Sequence, residues 1–450
     1  MGNAFFGTDG VRGKVGIEPI TPLTIVQLGW ALGKVMIKHH GPGKVLVGKD
    51  TRVSGYLLES SMEAGLSAAG MDVVLLGPIP TPAIAYLTQS ARAAAGVVIS
   101  ASHNPYYDNG IKFFSHEGFK LSDEIEAEIE QMMTEPLQTA TSEQLGKATR
   151  MEAAVGRYVE FCKNTIPHKV NFKGLKIALD CANGAAYQTA PKVFHELGAE
   201  IVIINNQPDG FNINTDCGST HIDGLQQVVL NEQCDLGIAF DGDADRVLMV
   251  DQRGQVIDGD QLLYVLAASA HQEGVLQGGV VGTLMTNYGL EKRFHEVGID
   301  FVRAKVGDRY VMQELQARDW RLGGESSGHL ICLDKTTTGD GLISALQVVE
   351  KLIKRQQPLH EIVAEYSIYP QTMINVRLSE GVDLSASQIC NSESVLLAVD
   401  DVQHALADRG RILLRPSGTE PLIRVMVEGQ DTLLVNQCCE QVASAVRALC

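Results

Sequence analysis

One unit is written three times into this chain, and that repetition limits the available folds more than any other feature. Lys44-Val45-Leu46-Val47-Gly48 is a short apolar run of strand length. A polar loop follows, then a helical stretch ending Ala68-Ala69-Gly70, then a second apolar run at 73–77. The plan recurs with a strand at 176–180, a helix at 186–197 closed by Gly198, and a strand at 201–205. It recurs again with a strand at 280–284, a helix at 289–297 closed by Gly298, and a strand at 301–305. Glycine just past a helix supplies the left-handed residue that ends it. Connections of this length and helical content join strands of layered α/β sheets rather than hairpins. The predicted fold class is therefore α/β, with three consecutive α/β domains built on mixed sheets.

At 450 residues the chain exceeds what one hydrophobic core serves, so several domains are expected. A polar, acidic helix at 123–133 and a Thr/Glu-rich stretch to Lys147 set the first boundary near 155. A hairpin turning at Asp251–Gly254 sets the second near 257, and a change of pattern after Tyr369-Pro370 sets the third. The expected domains are 1–155, 156–257, 258–369 and a smaller α+β domain over 370–450.

Composition removes several function classes. A net charge of −17 argues against nucleic acid as a partner. No apolar run approaches the roughly 20 residues that span a bilayer, so no membrane partner is expected. Nine scattered cysteines without a Cys-x-x-Cys pair fit reduced thiols in a cytoplasmic protein. None of the Gly-Lys pairs precedes Ser or Thr, and no Gly-x-Gly-x-x-Gly occurs, which removes the usual support for nucleotide hydrolysis or dinucleotide chemistry.

Four polar loops carry the chemistry. The β-branched run Val97-Val98-Ile99 reads as a buried strand that delivers Ser102 at its end, with His103 and Lys112 flanking it as possible positive charges. Such a serine can be a nucleophile or carry a covalent group; the alternative is a Ser/Asn/Pro turn. Asp241-Gly242-Asp243-Ala244-Asp245-Arg246 leaves the apolar run 236–240. Three carboxylates at alternate positions repel one another unless a cation neutralises them, and hard oxygen ligands favour Mg²⁺ or Ca²⁺. The Ca²⁺ EF-hand loop is excluded, since Arg246 replaces its turn glycine and Gln252 its bidentate glutamate.

The third loop, Gly323-Gly324-Glu325-Ser326-Ser327-Gly328-His329, formally contains Gly-x-Ser-x-Gly, the nucleophile elbow of esterases. That elbow requires a following helix, whereas 329–333 reads as a strand. A carboxylate, hydroxyls and an imidazole on a glycine loop suit a polyol, and an ordinary surface turn fits equally. The fourth loop, Arg415-Pro416-Ser417-Gly418-Thr419-Glu420-Pro421 with Arg424 beyond it, offers backbone amides and two arginines to a phosphate.

A serine loop, a metal loop, a polyol loop and a phosphate clamp, one per expected domain, resemble the α-D-phosphohexomutase family over essentially the whole chain. Phe6-Gly7-Thr8-Asp9-Gly10-Val11-Arg12-Gly13, the Ser102 segment and Lys305-Val306-Gly307-Asp308-Arg309-Tyr310-Val311 most resemble its bacterial members acting on glucosamine phosphates. The resemblance implies an isomerase in which Ser102 is a phosphoserine, and Asp241, Asp243 and Asp245 hold one Mg²⁺ against its phosphate. Arg246 is counted with the substrate-binding residues. Glu325 and Ser327 would bind sugar hydroxyls, and Arg415, Ser417, Gly418, Thr419 and Arg424 the phosphate that is not reacting. Arg12, Lys112 and His329 would face the reacting groups, with Lys112 or His329 carrying the proton. The implied partner is a small-molecule sugar phosphate, with a hexosamine or hexose 1,6-bisphosphate as activator. Two departures stand out: Ala244 occupies a place where the family usually has glycine, and Ser326 lies at a variable position. Glucose or mannose phosphate remains an alternative substrate. Asp241 as nucleophile of an aspartyl-phosphate phosphatase is an alternative of another class. Monomer and homodimer are both open.

Overall fold

The computed structural model describes residues 5–7, 10–379, 384–417 and 421–450. Its residues form two compact units: Met1–Val281 with Ala304–Val363, and Gly282–Arg303 with Ala364–Cys450.

In the first unit, the opening copy of the repeat becomes a six-stranded sheet. Lys44–Lys49 runs parallel to both Asp72–Pro78 and Ala95–Ile99. Asp108–Ser115 then returns antiparallel beside Ala95–Ile99, so strand and return strand bracket the Ser102 loop. The crossover helix Ser54–Ala69 packs on Pro22–His40. Gly65 permits that approach, because a Cβ there would lie 2.2 Å from the carbonyl oxygen of Val26.

The second copy becomes a five-stranded sheet. Lys176–Asp180 pairs in parallel with Glu200–Ile204 and with Leu236–Phe240, and Val247–Asp251 turns back antiparallel to the last of these. Every residue of Leu236–Phe240 is buried, as is every residue of Ala95–Ile99. That accounts for their continuous apolar sequences. The helix expected at 186–197 is instead a 3₁₀ turn, Ala185–Tyr187, followed by the helix Thr189–Glu196. Pro191 is the reason: its ring excludes the carbonyl four residues back, so a regular helix cannot begin earlier.

Still within the first unit, Val280 and Val281 pair in parallel with Leu322 and Gly323, and Leu322–Gly324 pairs antiparallel with Leu330–Cys332. The second unit has an antiparallel sheet in which Leu422–Gly429 lies between Gln371–Arg377 and Gly410–Pro416. The helices Glu393–Leu406 and Thr432–Arg447 are also part of this unit. Its core joins Val376, Val402, Ile423, Val425, Cys439 and Val442. The architecture is α/β with a smaller α+β C-terminal part. All nine cysteines are free thiols, and no helix among the described residues is long and apolar enough to cross a membrane.

Candidate active site

Two strand ends from different sheets meet at one point of the first unit. Ala95–Ile99 ends, and three residues later the chain passes through Ser102 at φ +53°. Left-handed backbone is costly for a residue with a Cβ, so this turn is held by its surroundings. Ser102 is buried, and its Oγ donates a hydrogen bond to Asp241 Oδ2 at 2.6 Å. Asp241 comes directly after Leu236–Phe240, and the loop it opens bends back through Ala244 at φ +59°. Here alanine takes a left-handed conformation that glycine would adopt more readily.

Asp241, Asp243 and Asp245 are all buried, with one oxygen from each lying within 4.8 Å of the others. Burial, then repulsion from Asp245 and Asp243, pushes the Asp241 carboxyl well above the usual range. Burial also acts against ionisation of Asp245, but the charges of Lys112, His329 and Arg246 outweigh it and hold this carboxyl below that range. Asp243 Oδ2 accepts from Thr81 Oγ1 at 2.7 Å and from Lys112 Nζ at 3.2 Å, while its Oδ1 is buried without a hydrogen-bond partner. A buried, unsatisfied carboxylate oxygen inside a cluster of three is the donor set a hard divalent cation wants. The three residues fit such a cation.

Lys112, on the return strand, lies 3.5 Å from Asp245. His103, expected as a second positive charge, is not one: burial, then the charges of Arg246 and Arg12, push it down to about 4. The cationic partner is His329. Burial opposes its charge, but Asp245, Asp308 and Glu325 raise it to about 9. Its Nδ1 lies 3.7 Å from Asp245 and its Nε2 3.6 Å from Asp308. Arg246 donates its amide to Asp241 Oδ1 at 3.1 Å. Arg12 sits in the edge strand Val11–Lys14, opposite Gly110.

The polyol loop lies against the metal loop. Gly328, at φ +90°, touches Val247 so closely that a Cβ would come within 2.2 Å of its carbonyl oxygen, and the Val247 amide donates to the Gly328 carbonyl at 3.0 Å. Glu325 accepts the Gly307 amide at 2.9 Å, and Ser327 is exposed. The segment after Ser326 is the strand Leu330–Cys332, so the esterase elbow is absent.

In the second unit, Arg415 and Arg424 face each other across Gly410–Pro416 and Leu422–Gly429. Burial, then the Arg424 charge, lowers the Arg415 pKa. Opposed like charges destabilise a strand pair unless an anion lies between them. Ser417 closes the hairpin, its amide donating to Leu422 at 2.9 Å. Gly418 and Thr419 lie outside the described residues.

The sequence reading missed Thr81, and it missed a buried set formed by Asp50, Arg52, Ser100 and Asn214 around Ser102. The only local signal was Asp50-Thr51-Arg52, a charged turn at the end of an apolar strand.

A serine presented to a buried oxygen-rich cation site, on mixed sheets followed by a small antiparallel domain, defines a phosphoryl-transferring isomerase of the phosphohexomutase class. Residues 3–140, 156–254 and 258–369 match phosphoglucomutase/phosphomannomutase α/β/α domains I, II and III, and residues 373–445 match the C-terminal domain. The chain belongs to the phosphoglucomutase/phosphomannomutase family. It is 57% identical over 446 residues to a phosphoglucosamine mutase of Alcanivorax borkumensis, covering 99% of each chain. Its fold is shared with a crystal structure of a phosphoglucomutase/phosphomannomutase family protein from Burkholderia thailandensis, with TM-score 0.81, 24% identity, and coverage of 98% of this chain and 97% of that one. It is shared also with Aspergillus fumigatus N-acetylphosphoglucosamine mutase in complex with GlcNAc-6P and magnesium, with TM-score 0.68, 18% identity, and coverage of 99% and 96%.

Proposed function

We propose that this enzyme interconverts glucosamine 6-phosphate and glucosamine 1-phosphate by way of a phosphoserine at Ser102 and a 1,6-bisphosphate. The observation that carries this reading is the 2.6 Å contact of the Ser102 hydroxyl with a buried cluster of three carboxylates. A neutral serine has no need of such a cluster. A phosphoserine, with nearly two negative charges, gains a counter-charge from a cation held by those carboxylates. Asp241, Asp243 and Asp245 would hold one Mg²⁺, which when bound offsets phosphate charge during phosphoryl transfer.

The remaining roles follow from the side chains. The sugar O1 attacks the Ser102 phosphorus and the bond from phosphorus to Ser102 Oγ breaks; Lys112 or His329 gives its proton to the departing Oγ and takes up the one that O1 loses, so the step is proton-neutral. The bisphosphate turns over, Ser102 recovers the 6-phosphoryl, and glucosamine 1-phosphate leaves. Glu325 and Ser327 bind ring hydroxyls, Arg12 and Arg246 face the reacting phosphate, and the Arg415/Arg424 pair with Ser417, Gly418 and Thr419 holds the other one. A free hexosamine or hexose 1,6-bisphosphate primes Ser102 and so acts as activator. The 57% identity to a phosphoglucosamine mutase favours the amino sugar, and with it supply of UDP-N-acetylglucosamine and cell-wall precursors in the cytoplasm. Comparing kcat/KM on glucosamine, glucose and mannose 6-phosphates tests the substrate. Glucosamine 6-phosphate is expected to lead, and a higher value for either neutral sugar would overturn the assignment.

A further inference from the structure

Arg52 is wholly buried and heads the fully buried side chains by size, an expensive place for a guanidinium. Its surroundings explain why it is there. Nη1 pairs with Asp50, Nη2 donates to the Ser102 carbonyl at 3.1 Å, and Nη2 also donates to the Asn104 carbonyl at 2.5 Å. From the second sheet's side, Asn214 Nδ2 donates to the same two carbonyls, at 2.9 and 3.1 Å. The Ser102 amide donates to Ser100 Oγ at 2.9 Å, and that hydroxyl donates to Asp50 at 2.6 Å. Asp50 closes the ring by accepting the Arg52 amide at 2.9 Å. Both polar backbone groups of Ser102 are therefore fixed by buried side chains, at a residue whose φ of +53° no local preference maintains.

We propose that Arg52 and Asn214, with Asp50 and Ser100 behind them, are positioning residues. They lock the left-handed Ser102 turn, so that Oγ keeps one place facing Asp241 whether or not it carries phosphoryl. The inference rests on the phosphoserine reading above. None of the four side chains touches the reacting phosphoryl in this account; they act through the backbone of residues 102–104. Because the turn would otherwise relax towards ordinary backbone conformations, its loss displaces the nucleophile rather than weakening substrate binding. A displacement of ångström size costs about a hundred-fold in rate.

The test uses the full-length enzyme and glucose 1,6-bisphosphate, following phosphate on the Ser102 peptide by rapid-quench mass spectrometry, with steady-state kinetics in parallel. Asn214→Ala removes one donor to each carbonyl without unpairing Asp50. The expected result is labelling of Ser102 slowed about ten- to a hundred-fold, with kcat falling in step, KM for glucosamine 6-phosphate within about two-fold of wild type, and a cooperative melt. Arg52→Lys is the second variant should Asn214→Ala fold poorly. It keeps the charge opposite Asp50 but cannot supply the planar fork, and the same split between kcat and KM is expected. Labelling at the wild-type rate in a folded variant, or a loss confined to KM, would overturn the positioning role. Wild-type enzyme that turns over without labelling Ser102 would instead overturn the phosphoserine reading, and this inference with it.

Discussion

The acidic loop and the arginine hairpin set the same electrostatic problem with opposite sign. Asp241, Asp243 and Asp245 crowd three negative charges together; Arg415 and Arg424 oppose two positive ones across a strand pair. Each arrangement is relieved by a ligand of the other sign. The difference lies in what holds them. The carboxylates are buried, and partners on three other segments fix them: Thr81, Ser102 and Lys112. The arginines project from the end of a two-strand turn and are only half-buried. The region proposed to make and break bonds is held by buried partners, whereas the arginine pair proposed to hold the other phosphate is half-buried. A clamp that must accept either phosphate of a bisphosphate in turn needs some latitude.

The sharpest way to break this contrast is Ser102→Ala. Activity should fall on the order of 10⁴-fold or more, with circular dichroism unchanged, since the loss of one hydroxyl opens no core cavity. Near-normal activity would remove the reacting centre from the account. Asp243→Asn comes next. It deletes one formal charge from the triad, so turnover should drop about 10²–10³-fold and the Mg²⁺ requirement should shift to higher concentration. A titration of rate against Mg²⁺ reads both, and full rate at low Mg²⁺ contradicts the assignment.

Arg424→Ala probes the other region. Losing a charge-assisted phosphate contact should raise KM for glucosamine 6-phosphate about ten- to a hundred-fold, leave labelling of Ser102 intact, and let more bisphosphate accumulate in solution during turnover. Equal retention of bisphosphate in variant and wild type would reduce the hairpin to a turn.

The smallest effect concerns Asp340, which caps the helix Gly341–Arg355 through the Ile343 amide and accepts the Tyr158 hydroxyl at 2.8 Å. Burial pushes its carboxyl up to about 7, against the hydrogen bonds from Ile343 and Tyr158 that pull it down. A carboxyl protonated in the folded chain but ionised in the unfolded one stabilises the fold fully below about pH 4. That contribution is lost as pH rises towards 7. Asp340→Asn keeps an Oδ1 acceptor for the Ile343 amide, lets the Tyr158 hydroxyl turn to accept from Nδ2, and does not titrate, so its melting temperature relative to wild type should rise from pH 4 to pH 7 and then level off. A constant difference across that range would mean Asp340 is already ionised at the lower end.

What could be read from sequence was whatever a short segment declares about itself. The wholly buried strands before Ser102 and Asp241 show as unbroken apolar runs, and the loops at their ends show as polar residues where a crevice begins. The cluster of three carboxylates is legible because its members are two residues apart. The joint role of Arg52 and Asn214 was not legible, because the Ser102 carbonyl they hold lies about 50 and 112 residues away; the charged Asp50-Thr51-Arg52 turn marks Arg52 but not what it holds. The left-handed turn at Ser102 was invisible for the same reason: nothing in Ala-Ser-His asks for positive φ, and only the surrounding donors impose it. His103 misled because its charge is decided first by burial and then by Arg246 and Arg12, all of which the fold supplies and the sequence does not. The broken helix around Pro191, by contrast, was there to be read.

The central claim is that Ser102 carries the phosphoryl group, and peptide mass spectrometry of enzyme exposed to glucosamine 1,6-bisphosphate tests it directly, with hydroxylamine treatment to reveal acyl phosphates. The account predicts a hydroxylamine-stable phosphate on Ser102 that is lost to added glucosamine 6-phosphate at the rate of turnover. A hydroxylamine-labile phosphate on Asp241, or full turnover by enzyme that never acquires phosphate on Ser102, would contradict it.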